Sequence, residues 1–187
     1  MIRRFVLLPV VVLATFVPLH SQEIAVKSNL LYDVTTTLNL GAEVGVAEKW
    51  TLEASANYNP WKFGKNGRLK HWLIQPEGRY WLHRKFDGHF FGLQAHAGGF
   101  NVGGLKIFGQ KRKNYRYQGH LYGLGLSYGY QWRLNDRWHF EAGVSIGWVR
   151  FNYDKYPCAP CGVKMKSDHT DYFGPTRLAL SIVYRIK

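Results

Sequence analysis

Charged side chains recur in segments of alternating polarity that otherwise contain apolar and small residues. Glu43 and Glu53 flank a short turn at Glu48-Lys49, so a hairpin places them opposite or nearly opposite each other. Two carboxylates in a confined space recruit a cation or share a proton, which would suit general acid–base catalysis or a path for protons or ions. The alternative is a salt-bridged plug. The charged residues predicted to share one interior face are Lys27, Glu43, Glu53, Glu77, Arg79, Glu141 and Arg177.

A serine, a histidine and an acid would form a second kind of site. The chain contains eight histidines, and Ser127, His120 and Glu141 are the combination that would suit an acyl hydrolase acting on phospholipid or lipid A. No nucleophile signature surrounds Ser127, whose strand face is shared with glycines. The sequence therefore predicts no catalytic residues and no cofactor.

The two cysteines, Cys158 and Cys161, form a Cys-Ala-Pro-Cys motif. Redox catalysis of the thioredoxin kind needs such a motif at a helix start beside a βαβ pattern, which the sequence lacks. A zinc site would need two more ligands, and only His169 with Asp168 or Asp171 is close in sequence. In an exported protein the expectation is a disulfide across a tight turn that contains proline, with no metal.

The net charge of +13 is concentrated in two segments, Pro60–Lys70 and Gly103–Gln118, which contain no acid. Both are predicted to be long loops. Their candidate partners are anionic lipid headgroups such as those of lipopolysaccharide, anionic glycans, or an acidic surface protein. The alternative is that the cations only neutralise the phosphates of surrounding glycolipid. The candidate binding residues are Lys62, Lys65, Arg68, Lys70, Lys106, Lys111, Arg112, Lys113, Tyr115, Arg116 and Tyr117.

The first 22 residues have the pattern of a cleaved signal peptide. Arg3 and Arg4 precede an apolar run from Phe5 to Val17, and small and polar residues follow up to Gln22. The run is shorter than the roughly 20 residues that a membrane-spanning helix needs. Residues 23–187 form a single predicted domain, because no linker divides them. Export makes nucleic acid an improbable partner.

The remaining chain is predicted to form eight strands, because its polarity alternates with period two. Trp138, Val144 and Trp148 lie on one face of the seventh strand, whereas His139 and Glu141 lie on the other. Ten residue steps along a tilted strand rise roughly 25 Å, the height of a lipid-facing band. The predicted strands are 24–32, 38–47, 50–59, 71–81, 89–102, 119–132, 138–153 and 173–186.

The apolar face could point outward into lipid or inward, as in a soluble carrier barrel. An eight-stranded interior has little free volume for the many tryptophans and tyrosines of that face. Connections after the second, fourth and sixth strands are short, and the others are mostly longer, as in outer-membrane barrels. The predicted fold class is therefore an all-β, eight-stranded antiparallel up-and-down transmembrane barrel in the outer membrane of a Gram-negative bacterium.

The chain resembles an uncharacterised family of Bacteroidota outer-membrane proteins, the domain of unknown function 3575. The resemblance covers nearly all of residues 23–187 and implies a small barrel, encoded in some members near genes for fimbrial or other surface proteins, with no established activity. The runs that carry it are 27–33 (KSNLLYD), 39–43 (NLGAE), 58–61 (YNPW), 70–77 (KHWLIQPE), 79–81 (RYW) and 88–92 (GHFFG).

These observations predict a structural, adhesive or surface-accessory role, linked to fimbrial or surface-polymer systems as the resemblance implies. A narrow channel for small solutes or ions is the alternative, and a lipid-modifying enzyme is a third hypothesis.

Overall fold

The computed structural model describes residues 23–63, 67–103, 115–157 and 163–186. The predicted signal peptide, both cysteines and much of the second basic segment lie outside this part of the chain. The elements are β1 Ile24–Asn29, α1 Leu30–Val34, β2 Leu38–Gly45, β3 Trp50–Asn59, β4 Lys62–Phe63, β5 Gly67–Trp81, β6 Gly88–Gly103, β7 Tyr115–Arg133, β8 Trp138–Pro157 and β9 Lys166–Arg185.

Eight of the strands form a closed antiparallel ring. Each of them pairs with the next long strand along the chain, so that β3 pairs with β5. The first and last strands, β1 and β9, pair from Ala25↔Arg185 to Asn29↔Ser181 and close the ring. The two-residue β4 pairs only with the start of β5. Closure gives every strand two neighbours, which removes the free edges of an open sheet. The predicted all-β, eight-stranded up-and-down architecture is confirmed.

Connections of different length lie at the two ends of the ring. Residues 46–49, 82–87 and 134–137 form three short turns at one end, which also carries Glu23 and Ile186. We call this the turn end. The opposite end carries the connections at 30–37, 60–66, 104–114 and 158–165, and we call it the loop end. The predicted alternation of short and longer connections is confirmed.

Apolar side chains face outward and polar side chains face inward around the ring. Leu93 and Leu126 on the outer face are 62% and 64% exposed, whereas Gln75 and Arg79 on the inner face are each 1% exposed. This distribution is the reverse of a soluble carrier barrel, whose apolar face lines the interior. Few apolar side chains of the described residues are buried, among them Ala25, Phe86 and Val183, which contact one another.

Aromatic side chains form two outer belts that border an aliphatic band. Trp138 and Trp148 on β8 belong to different belts and are ten residue steps apart, which corresponds to roughly 25 Å along the ring axis. Leu124, Val144 and Ile146 lie between the belts. The belt at the turn end contains Trp50, Tyr80, Trp132, Trp138 and Tyr184, and the belt at the loop end contains Tyr58, Trp72, Tyr122, Trp148 and Phe173.

The first strand is shorter than predicted. β1 ends at Asn29, whose side-chain oxygen accepts a hydrogen bond of 3.1 Å from the backbone N–H of Leu31 and so caps α1. The Asn29 N–H donates to the Asn39 side chain at 2.6 Å, which fixes this corner against β2. Residues 30–32 are therefore helical, and the prediction of a strand up to Tyr32 was wrong.

The last strands are longer than predicted. β8 continues to Pro157 and β9 begins at Lys166, so much of the predicted loop from Asp154 to Tyr172 is a hairpin. The extended part of β8 also packs against β7, because the rings of Tyr117 and Tyr153 lie 5.5 Å apart. We call residues 115–120, 151–157 and 166–171 the strand extension.

We predict that Asn29→Ala lowers the free energy of unfolding in detergent micelles by about 2 kcal/mol. Asn29 also accepts from the Leu180 N–H at 3.2 Å and donates to the Leu178 carbonyl at 3.1 Å, so it connects β1, α1 and β9. Urea titration followed by tryptophan fluorescence measures the change. Asn152→Ala in the strand extension is the control, and an equal loss in both variants would contradict the prediction.

Candidate functional site

The structure brings together all seven charged residues predicted to face the interior. They come from six strands of the ring, and their side chains are no more than 6% exposed. We call this group the lumen cluster. Its members are Lys27 on β1, Glu43 on β2, Glu53 on β3, Glu77 and Arg79 on β5, Glu141 on β8 and Arg177 on β9.

Three of the glutamates form a row across neighbouring strands. Glu43 lies directly opposite Glu53, and Glu53 lies directly opposite Glu77. Like charges at directly opposed positions are destabilising, more so where water is excluded. The row therefore depends on cations that reach it from other parts of the ring.

Arg79 contacts all four glutamates. Its Nη1 lies 3.2 Å from Glu43 Oε2 and 2.9 Å from Glu141 Oε2, and its Nη2 lies 3.1 Å from Glu77 Oε2 and also contacts Glu53. Because Glu141 belongs to β8, three strands away from β5, this guanidinium connects opposite walls of the ring. It also lies 4.2 Å from the centroid of the Phe90 ring, a cation–π contact.

Lys27 and Arg177 supply the other positive charges. Lys27 Nζ lies 2.5 Å from Glu43 Oε2, 2.9 Å from Glu141 Oε2 and 3.4 Å from Glu53 Oε2. Arg177 lies 2.9 Å from a carboxylate oxygen of both Glu53 and Glu77. Every glutamate of the cluster thus contacts at least two cations.

A β-bulge in β9 orients Arg177. Ser145 pairs with Arg177 and the next residue, Ile146, pairs with Pro175, so Thr176 is the additional residue. Both Thr176 and Arg177 then face the interior, where Thr176 Oγ1 accepts a 3.2 Å hydrogen bond from the Gln94 side chain. Without this irregularity, period-two alternation would give neighbouring residues opposite orientations.

Two inward glycines make room for the lumen cluster. A Cβ atom at Gly92 would overlap the Glu77 carboxylate and the Ser127 hydroxyl, which are hydrogen-bonded to each other. A Cβ at Gly41 would lie 2.6 Å from Lys27 Cγ. These glycines therefore permit close approach of side chains from other strands.

An aromatic group fills the interior between the lumen cluster and the turn end. Trp81, Phe86 and Phe90 are almost fully buried, with ring centroids 6.1 Å apart for Trp81 and Phe86 and 5.0 Å apart for Trp81 and Phe90. Phe86 comes from the turn at 82–87 and has a φ of 63°, a left-handed conformation that is rare for a large side chain. The interior is thus filled at two levels.

The residues of the hypothetical hydrolase are not assembled. Ser127 donates its hydroxyl hydrogen bond to Glu77, and His120 is exposed in the strand extension. Seven residue steps along β7 separate the two residues by roughly 23 Å. Glu141 contacts Lys27 and Arg79 instead. The structure therefore provides no nucleophile–base pair from these three residues.

Buried amides of the interior were not among the residues predicted from the sequence. Gln75, Gln94 and Gln131 are at most 1% exposed, and Gln75 Nε2 lies 3.2 Å from Nδ1 of His96. They occupy inward positions of the same alternation that identified the glutamates. The alternation therefore contained the signal for these amides, although only charged residues were predicted to form the site.

The candidate binding residues that the structure describes lie in strands, so the prediction that they belong to long loops was wrong for them. Arg116 lies 4.4 Å from the centroid of the Tyr156 ring, and Lys155, which was not predicted, lies 3.9 Å from the centroid of the Tyr115 ring. Lys70 lies on β5, and the backbone of Lys62 on β4 pairs with that of Arg68 on β5. The predicted residues that lie outside the described part of the chain are Lys65, Lys106, Lys111, Arg112, Lys113, Cys158 and Cys161.

The acids near His169 are engaged in ion pairs. Asp171 lies 2.8 Å from Arg150, and Asp168 lies 2.7 Å from Lys166, whose hydrogen bond lowers the pKa of that carboxyl. Among the residues that the structure describes, no group of three histidine, cysteine or acidic side chains could hold a metal ion.

We predict that Arg79→Met lowers the free energy of unfolding by about 3–5 kcal/mol, because it leaves buried carboxylates without their shared cation. Arg150→Met is the matched control. It breaks the partly exposed pair with Asp171 and should lower the free energy of unfolding much less than Arg79→Met does. Urea titration in micelles compares the two. Equal small losses would show that the lumen cluster contributes little to stability.

Within the described ranges, no helix is long and apolar enough to cross a membrane.

Neither a curated protein nor a solved structure matches the chain significantly. A family model described as "Protein of unknown function (DUF3575)" matches residues 6–186, which is nearly the whole chain. The chain, with its closed ring of eight strands and its charged interior, therefore belongs to the DUF3575 family.

Proposed function

We propose that the protein is an outer-membrane barrel of a Gram-negative bacterium that has a structural or adhesive role at the cell surface. The observation that carries this proposal is the placement of apolar residues outside the ring and charged residues inside it. Exposed leucines in such number would be costly in water, whereas in lipid they are the favoured surface. Export through a signal peptide cleaved near residue 22 belongs to the same proposal.

The outer belts support membrane insertion. Tryptophan and tyrosine prefer the interface between lipid and water, and here they border the aliphatic band at both ends. Trp138 and Tyr184 pack at 4.9 Å between ring centroids, and Trp50 and Tyr80 pack at 5.1 Å. The spacing of roughly 25 Å matches the height of a lipid-facing band. The turn end would then face the periplasm and the loop end the exterior.

The filled interior argues against the channel alternative. A path along the ring axis would have to pass the lumen cluster and then Trp81, Phe86 and Phe90, all of which are buried. An eight-stranded ring leaves room for side chains but little for water. The proposed role therefore belongs to the outer surface and not to transport.

The strand extension supports a role in recognition. It carries Tyr115, Arg116, Tyr117 and Lys155 beyond the loop-end belt, next to the basic segment that precedes β7. Cations held against aromatic rings suit sugar rings that carry negative groups, because stacking and charge act together. We propose an anionic glycan of the cell surface, including lipopolysaccharide, as the partner class.

We predict that the protein fractionates with the outer membrane, and that unheated and boiled samples migrate differently in detergent electrophoresis. A closed ring pairs its backbone groups internally, so it resists detergent until heated. Planar-bilayer recordings of the same sample should show no steady conductance. A soluble protein would contradict membrane insertion, and reproducible conductance changed by Arg79→Met would support a channel instead.

We predict that Arg116→Glu combined with Lys155→Glu weakens retention of the purified protein on an immobilised anionic polysaccharide. Both cations are partly exposed, so retention of the unaltered protein should also fall as salt shortens the screening length from about 10 Å at 0.1 M to about 3 Å at 1 M. Lys49→Glu combined with Arg84→Glu makes the same charge change at the turn end and should have no effect. Equal retention of both double variants would contradict recognition by the strand extension.

A further inference from the structure

We infer that the interior binds one monovalent metal cation beside Glu141, on the side of the lumen cluster that faces the turn end. The first observation is the charge balance. Four glutamates face Lys27, Arg79 and Arg177, which leaves a formal charge of −1 when all seven groups are ionised. A buried charge without compensation is costly, so this excess favours one further positive charge in the interior.

The second observation is a set of polar side chains that flank Glu141 and point inward. Gln131 and Ser181 lie directly opposite Glu141 on β7 and β9. They are 0% and 1% exposed, yet neither the Gln131 amide nor the Ser181 hydroxyl has a hydrogen-bond partner among the described residues. Directly opposed side chains have Cβ atoms roughly 5 Å apart, so the three groups can reach one ion.

His139 extends this set toward the turn end. It lies two residues before Glu141 on β8 and is buried, and neither ring nitrogen has a hydrogen-bond partner within the described part of the chain. Buried polar groups are almost always satisfied, so three neighbouring side chains without partners indicate that something else contacts them.

The oxygen atoms in this set suit a hard cation. Glu141 offers a carboxylate, Gln131 an amide oxygen and Ser181 a hydroxyl, the kinds of ligand that such cations prefer. A monovalent ion balances the charge of −1, whereas a divalent ion would reverse it. An anion would be repelled by Glu141, and water would satisfy the amide and hydroxyl without balancing the charge.

A cavity at the turn end reaches His139, although Glu141, Gln131 and Ser181 do not line it. It has a volume of about 570 Å³ at the turn end and is lined by His139 together with Phe86, Arg133, Asp136 and Arg185. The proposed site depends on the interior alone and not on the cellular location of the protein.

The test compares the purified full chain in micelles containing Na⁺ or the bulky cation N-methylglucamine at equal ionic strength. At Na⁺ ten times above its Kd, the thermal midpoint should rise by about 3–6 °C over the N-methylglucamine value. In crystals soaked with Rb⁺, an anomalous peak should lie beside Glu141. Equal thermal midpoints in the two salts together with the absence of this peak would overturn the inference. In that case, an infrared band of a protonated carboxyl that disappears in Glu141→Gln would show that a proton on Glu141 supplies the further positive charge.

Variants separate binding from general stability. Gln131→Leu combined with Ser181→Ala keeps the charge but removes two ligands, so about tenfold more Na⁺ should be needed for the same midpoint shift. Gln75→Leu combined with Ser55→Ala changes the same residue types in another part of the interior and should leave the Na⁺ response unchanged, whatever its effect on stability. Equal Na⁺ responses in both double variants would also overturn the inference.

Discussion

The structure depends on neutralising charge in a space that water cannot fill. Glu43, Glu53 and Glu77 stand side by side on neighbouring strands, an arrangement that would repel itself in isolation. Arg79 contacts each of them and also Glu141 on the far wall. The same contacts that offset the repulsion therefore also connect β5 with β8 across the interior.

This arrangement replaces the apolar core of a soluble domain. Among the described residues, buried apolar side chains such as Trp81, Phe86 and Phe90 are fewer than the buried polar and charged side chains. Stability must then come from the closed backbone pairing and from well-satisfied polar contacts. Polar networks of this kind specify geometry strongly, since a missing partner leaves a buried group unpaired.

The sequence predicted the ring because period-two alternation is a local property that each strand displays separately. It also predicted which charged residues share the interior, and the short turn at Glu48-Lys49 was enough to place Glu43 near Glu53. It could not predict the contact of Arg79 with Glu141, because β5 and β8 are separated by two other strands. Nor could it predict the bulge at Thr176, which reverses the local alternation on which the strand prediction depends.

The other incorrect strand bounds lie where local hydrogen bonds or contacts between strands override the alternation of polarity. Leu30 and Leu31 continue the apolar pattern of β1, yet the Asn29 side chain caps a helix there. The strand extension resembles a loop in sequence because its residues are polar and charged. Its pairing is supported by rings on neighbouring strands, as with Tyr117 and Tyr153, and such contacts between distant residues are not visible in one strand.

The order of the lumen cluster along the chain has a consequence for assembly. Lys27 lies on the first strand and Arg177 on the last, with all four glutamates between them. A chain that has formed every strand except β9 carries four acids against two cations. Pairing of β9 with β1 therefore brings the third cation, Arg177, into the interior when the ring closes. Closure of the ring and partial neutralisation of the buried carboxylates occur in the same step. A ring closed without β9 would keep four buried acids against two cations.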